Sequence, residues 1–217
     1  MKRDTAGGIL LIAAAASGAL VMVMHPTAHD LMNADSGPRM AHVNVMVHSL
    51  ALFVTPIAFL GLVGLWRRLE GSQLATAALV AYGWGLVAIM GAAVASGFVA
   101  PGVTVADGST TPGALLHYTG LWNQGFANVD VVGTSVGILL FSIAILTRRA
   151  MQPWVAIFGA LVGLLIPCFL FIGHLKLDVH GFGIVMFAQS AWLIWIGVLL
   201  CSDAPERPMP QVVSPSQ

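Results

Sequence analysis

The sequence predicts an all-α membrane protein in which about six helices cross the bilayer. Of its 217 residues, 58% are hydrophobic and only 8% are charged, a composition far more apolar than that of water-soluble domains. The apolar residues fall in long runs, and a transmembrane helix needs about 20 such residues. Polar stretches, or stretches rich in Gly and Pro, separate the runs. These observations favour one transmembrane helical domain over residues 1–201.

Six apolar runs have the length of a membrane span, at residues 7–24, 43–66, 74–100, 129–147, 153–173 and 181–201. The first run follows Lys2 and Arg3, so a cleaved secretory signal is the alternative interpretation, although the run is long for one. No soluble domain fits between the runs. Residues 202–217 contain four prolines and little apolar periodicity, which is typical of a disordered tail.

The break between the third and fourth spans contains a helix-start signal. Thr111 provides an N-cap hydroxyl, and Pro112 suits the first helical position. The sequence that follows, GALLHYTGLWNQGF, carries Leu, Trp and Phe side chains that favour the membrane interface. We therefore predict a short interfacial helix here. It contains His117 and would act as a lid over the outer face of the bundle.

The Lys and Arg residues of the short loops predict the orientation of the chain. Residues 2–3, 67–68 and 148–149, together with Arg207, belong to the side of the termini, whereas Arg39 and Lys176 lie on the other side. Loops rich in Lys and Arg stay in the cytoplasm. We expect a multi-pass protein of the cell inner membrane with both termini cytoplasmic and the opposite face towards the periplasm.

The seven histidines all fall on the face opposite the termini or in the adjoining halves of the helices. They are His25, His29, His42, His48, His117, His174 and His180. Histidine is the commonest metal ligand and the usual proton carrier near neutral pH. This distribution predicts a metal or haem site at the periplasmic face. The alternative is that these histidines only complete helix ends and solvate loops.

The strongest local arrangement for a metal is formed by His25, His29 and His42. Residues four apart share a helix face, and a turn at residues 36–38 would return His42 to the membrane depth of the other two. Three imidazoles suffice for zinc or copper, with one position open to water or substrate. We predict His25, His29, His42 and His48 as metal ligands, with His117 as a further candidate.

Methionines near these histidines favour copper as the metal. They are Met22, Met24, Met32, Met40 and Met46. Thioether and imidazole together select soft ions, Cu(I) in particular. The alternative is that methionine fills irregular core space.

A b-type haem is the other cofactor that the histidines allow. It would need two axial imidazoles from different helices, His42 or His48 opposite His174 or His180. Glycines at positions 173, 181 and 183 leave room for a flat macrocycle. The cofactor-binding candidates are therefore His48, His174 and His180.

Two carboxylates are the candidate catalytic residues. Asp130 enters the fourth span with no Lys or Arg nearby in sequence, and a carboxylate at membrane depth usually faces a partner, a cavity or a proton path. A helix-start carboxylate is the alternative. Asp178 would either orient a neighbouring imidazole or pair with Lys176 in water. In a zinc enzyme, Asp130 or Asp178 would be the general base for a metal-bound water.

Three classes of function follow from these patterns. The first, which we take as the hypothesis, is a redox or metal-handling membrane protein with a copper or haem site. The second is a zinc-dependent intramembrane hydrolase, and the third is a non-catalytic accessory subunit. Expected partners are the lipid bilayer and either other membrane subunits or a periplasmic electron carrier. The zero net charge gives no basis for nucleic-acid binding.

Overall fold

The computed structural model describes residues 4–27, 37–101 and 112–202, which form six long helices. These are α1 (Thr5–Val23), α2 (Gly37–Arg68), α3 (Gln73–Val94), α4 (Pro112–Arg148), α5 (Pro153–Phe171) and α6 (Val179–Cys201). A π-helical turn, Ala95–Val99, continues α3. All six helices contain a segment long and apolar enough to cross a membrane. The predicted all-α polytopic bundle is thus confirmed, and the tail from residue 203 onward lies outside the described residues.

Side-chain caps and a proline fix several of the helix starts. Asp4 accepts a hydrogen bond from the Gly7 amide at 2.9 Å, and Ser72 accepts one from the Ala75 amide at 3.3 Å. Such caps satisfy amides that have no partner in the first helical turn. At the start of α5, Pro153 lacks the amide that the helix would leave unpaired.

Helix α4 differs from the prediction because the expected interfacial helix is its first part, and not a separate element. The helix is unbroken from Pro112 to Arg148, and no proline interrupts those 37 residues. At 1.5 Å per residue it is about 55 Å long, which exceeds the roughly 30 Å of a bilayer core. Its first turns therefore extend beyond the membrane. Thr111, the expected cap, lies outside the described residues.

The helices form a closed ring in chain order. Each helix packs against the next one along the chain, and α6 packs against α1. Glycines allow the close approaches: a Cβ built on Gly7 would lie 2.9 Å from the Cα of Gly64, and one on Gly133 would lie 2.8 Å from the Gly85 amide nitrogen. Small residues at such contacts let transmembrane helices pack backbone to backbone.

The half of the ring nearer the termini is filled by a hydrophobic core. Its fully buried side chains include Leu11, Leu65, Phe141, Trp192 and Ile196. In a bilayer, close van der Waals contact among such side chains stabilises the helix packing. The other half of the ring, towards the histidines, encloses a cavity.

Candidate functional site

A cavity of about 410 Å³ lies inside the ring in the half opposite the termini. Residues of α1, α2, α3, α4 and α6 and of the chain just before α6 form its wall, most of it from Ala, Val, Leu, Ile and Met side chains. A concave, mainly apolar space with a few polar groups is the usual form of a ligand site. The polar side chains on its wall that could bind a ligand or take part in chemistry are those of His25, His48, Asp130, Asp178 and Gln189.

Two of the seven histidines meet at this cavity. His25 follows the end of α1 and is half-buried, whereas His48 on α2 is only 7% exposed. Their rings pack edge to face, with the centroids 5.0 Å apart and the planes at 70°. Packing of α1 against α2 brings together these two side chains, which are 23 positions apart in the chain.

Backbone carbonyls fix the protonation of both rings. Nδ1 of His25 donates a hydrogen bond to the Pro26 oxygen at 2.9 Å, and Nδ1 of His48 donates one to the Asn44 oxygen at 2.7 Å. A carbonyl oxygen can only accept, so in the neutral rings Nδ1 carries the proton and Nε2 keeps its lone pair. Metal-binding histidines commonly have their tautomer set in this way.

Burial also favours the neutral form of His25, which lies beyond the end of the first membrane span. It lowers the pKa of His25 below its usual range, and the hydrogen bond to Pro26 opposes this effect. Metal binding requires the unprotonated imidazole. His25 is therefore available as a ligand at neutral pH.

The π-helical turn at the end of α3 packs against His48 and its neighbour Asn44. The backbone carbonyl of Asn44 accepts the hydrogen bond from His48. The side-chain amide of Asn44 donates a hydrogen bond to the backbone oxygen of Ser96 at 2.9 Å. Gly97 lies in direct contact with the His48 side chain. Such π-helical turns often occur at functional sites. The roles of Asn44, Ser96 and Gly97 were not predicted from the sequence, where a Gly beside a Ser in an apolar run was the only signal.

Two thioether groups lie on the same cavity. Met22 is on α1, three residues before His25, and Met186 is on α6. A Cβ built on Gly183 would lie 3.7 Å from Met22, and one built on Gly18 would lie 3.6 Å from Met186. Met22 was among the predicted soft ligands, whereas Met186 was not, because it is remote from the histidine-rich segment in sequence.

Asp130 is almost completely buried, at 4% exposure, on the wall of the cavity. Within the described part of the chain, no hydrogen bond or ion pair reaches its carboxyl group. Nearby, Gln189 donates to Thr134 at 2.9 Å and to Ser135 at 3.3 Å, and Thr134 donates to the backbone oxygen of Asp130 at 2.7 Å. These bonds occupy the Gln189 amide hydrogens and leave its carbonyl oxygen as an acceptor.

Asp178 has a structural task at the edge of the cavity. It is the N-cap of α6 and accepts a hydrogen bond from the Gly181 amide at 2.8 Å. Its side chain is exposed, and among the described residues it pairs neither with an imidazole nor with Lys176. One carboxylate oxygen is thus engaged by the helix, while the residue still contributes to the cavity wall.

The remaining predicted histidines do not reach the cavity. Four of them are exposed and do not line the cavity: His42, His117, His174 and His180. His29 lies outside the described residues. The structure therefore does not bring the haem candidates His174 and His180 to the face that His48 presents. Among the described residues, no three His, Cys, Asp or Glu side chains are close enough together to hold a metal ion.

The first part of α4 contributes to the cavity through residues other than His117. Asn123 and Ala127 are on the wall, whereas Tyr118 and Trp122 are exposed and pack edge to face against each other. The predicted covering role is consistent with this position of the helix, but His117 itself faces outward.

Comparisons with protein-family models, with curated proteins and with solved structures find no match to this chain.

Proposed function

We propose that this membrane protein binds copper(I) at His25 and His48 and handles copper at the membrane face opposite its termini. The observation that carries the proposal is the contact between the half-buried imidazole of His25 and the buried imidazole of His48 on the wall of a cavity, each with Nδ1 held by a carbonyl. Both rings have Nε2 available for a metal.

The separation of the rings suits a shared ion. A metal–nitrogen distance of about 2.0 Å puts each ring centroid about 3.1 Å from the metal. With the centroids 5.0 Å apart, the angle between the two metal-to-ring directions is about 107°, which is compatible with trigonal or tetrahedral coordination. The rings pack edge to face, so binding one ion would need a side-chain rotation that turns both Nε2 atoms towards it.

The surrounding donors favour copper(I) over harder ions. Met22 and Met186 supply thioethers to the same cavity, and imidazole with thioether is a soft ligand set. A monovalent ion also brings less charge into a largely apolar space than Zn²⁺ does, so its desolvation costs less. Zinc would more often recruit a third imidazole or a carboxylate.

The proposal is tested by titrating copper(I) into metal-stripped protein in mild detergent, against a chromophoric copper(I) chelator. We expect one ion per chain, and affinity at least about tenfold weaker in His25→Ala and in His48→Ala. His174→Ala, at an exposed position away from the cavity, is the matched control and should bind as the wild type does.

Other outcomes of the same preparation would point elsewhere. Stoichiometric zinc would favour the intramembrane hydrolase, with Asp130 as the candidate base on the same cavity. A Soret band would favour haem b. A protein that takes up no metal, and whose His48→Ala variant assembles normally with its neighbours, would instead support the accessory-subunit function.

A further inference from the structure

The cavity extends beyond the two histidines and presents acidic groups to a ligand. Its wall includes two carboxyl groups, Asp130 and Asp178, and the described residues that line it include no Lys or Arg. In a space with low-dielectric walls, fixed charges of one sign act strongly on a ligand. This cavity therefore favours cations over anions.

The carboxyl group of Asp130 has no hydrogen-bond or ion-pair partner among the described residues. It is 4% exposed, and no described side chain or backbone amide hydrogen-bonds to its carboxyl group. A buried ionised carboxylate is costly unless a cation or hydrogen-bond donors compensate it. Its neighbour Gln189 has both amide bonds engaged by Thr134 and Ser135 and offers only an acceptor oxygen. A positively charged ligand would satisfy both acceptors.

The rest of the wall indicates what else the ligand carries. Aliphatic side chains form most of it, and the aromatic rings of Tyr82 and Phe182 are also present. Transfer of hydrocarbon from water to such a wall is favourable, and aromatic faces attract organic cations. A bare metal ion would leave most of the 410 Å³ empty or filled with poorly bonded water.

We infer that the cavity binds a lipophilic organic cation, a monovalent ammonium or phosphonium ion with a hydrocarbon body, whose charge lies against Asp130. This site goes beyond the copper function and depends on a different residue. The hydrocarbon body occupies the apolar part of the cavity, between Asp130 and the histidine pair.

Two probe ions of the same size and shape test this inference. Tetraphenylphosphonium is a cation and tetraphenylborate is an anion, and both have the same hydrophobic body. Binding is measured by equilibrium dialysis on the full chain in lipid nanodiscs, with empty nanodiscs subtracted. We expect saturable binding of one phosphonium ion per chain, at least about tenfold tighter than borate.

Substitution of Asp130, and of a carboxylate outside the cavity, tests which carboxyl group the ligand needs. Asp130→Asn should weaken phosphonium binding at least about tenfold, because it removes the compensating charge with little change in volume. Asp4→Asn, at the other end of α1 from the cavity, is the matched control and should stay within about twofold, since asparagine also caps helices. Equal binding of the two ions, or wild-type binding by Asp130→Asn, would overturn the inference.

The experiment also stands if Asp130→Asn does not fold. The comparison of phosphonium with borate then decides on the wild-type protein alone. Ala127→Leu, which narrows the cavity about one helical turn before Asp130, should also lower phosphonium binding. The two proposals can fail independently. A His48→Ala variant that loses copper binding but keeps phosphonium binding would show that the two sites are independent. A wild-type protein that binds copper but does not distinguish phosphonium from borate would contradict only the organic-cation site.

Discussion

Gly97 packs directly against His48, so closely that a Cβ built on Gly97 would lie well under 3.0 Å from the Cβ of His48. Real side chains do not tolerate such a distance, and any larger residue at position 97 must displace the imidazole or the π-helical turn. The orientation of a candidate ligand thus depends on the absence of a side chain on the neighbouring helix.

Gly97→Ala should weaken copper(I) binding by about tenfold or more, because the displaced ring no longer meets His25 at its present distance. The measurement is the same chelator competition. Gly125→Ala is the matched control, since a Cβ there would meet no atom within 4 Å. Unchanged copper affinity in Gly97→Ala would show that the position of His48 is not set by this contact.

The hydrogen bond from Asn44 to Ser96 connects α2 to the π-helical turn. Asn44→Ala leaves the Ser96 oxygen without this donor inside the bundle, and we expect a loss of about 1–3 kcal/mol in unfolding free energy. Thermal unfolding in detergent measures the loss through the melting temperature. Ser49→Ala on the same helix is the control, because that hydroxyl bonds only to its own helix at Val45. Equal melting temperatures for the two variants would contradict the role of Asn44.

The lowered pKa of His25 predicts how stability depends on pH. Below about pH 6.5 the unfolded chain protonates this imidazole, while the folded chain still holds it neutral. The unfolded state then binds more protons, so the stability of metal-free protein falls as the pH decreases through this window. The fall ends below the folded pKa, where both states are protonated.

Melting curves of metal-free protein between pH 7.5 and pH 5 test this dependence. The wild type should lose more stability than His25→Gln, which removes the titrating group and keeps a polar side chain. His174→Gln, at an exposed position, is the control and should follow the wild type. Parallel curves for all three proteins would show that His25 makes no contribution in this pH range.

The packed half of the ring has a comparable glycine at position 159. A Cβ on Gly159 would fall against the Trp192 indole nitrogen and the Ser142 hydroxyl, both fully buried. Gly159→Ala should therefore destabilise the contact of α5 with α4 and α6 by about 1–3 kcal/mol. Gly183→Ala, where the nearest atom would be Met22 Cγ at an ordinary 3.7 Å, should melt near the wild type. A melting temperature for Gly159→Ala equal to that of Gly183→Ala would contradict this packing.

The six spans could be predicted from the sequence because the length of an apolar run is a local property. Continuity of α4 could not, since the polar and Gly-containing stretch around residues 113–128 resembles a break, although no proline occurs between Pro112 and Pro153. The separation of His42 from His48 has a simpler cause. The two residues are six apart on α2, which puts them about 120° apart around the helix, so only His48 faces the cavity.

The pairing of His25 with His48 depends on how α1 closes onto α2, and no spacing in the sequence encodes that. Gln189 and Thr134 are likewise 55 residues apart, and only the closed ring brings them within 2.9 Å. Long-range contacts of this kind follow from the packing of small residues such as Gly7 against Gly64. The sequence therefore predicts the candidate ligand types and their membrane face better than it predicts which of them meet.

The membrane orientation is open to a direct test. Six spans put both termini on one side, and the Lys and Arg residues of the loops predict that this side is cytoplasmic. In a background without Cys168 and Cys201, His174→Cys should react with a membrane-impermeant maleimide added to intact spheroplasts. Ser202→Cys, at the opposite end of α6, should react only after the cells are opened. The reverse pattern would place the cavity and its two histidines on the cytoplasmic face, and copper would then have to reach the site from inside the cell.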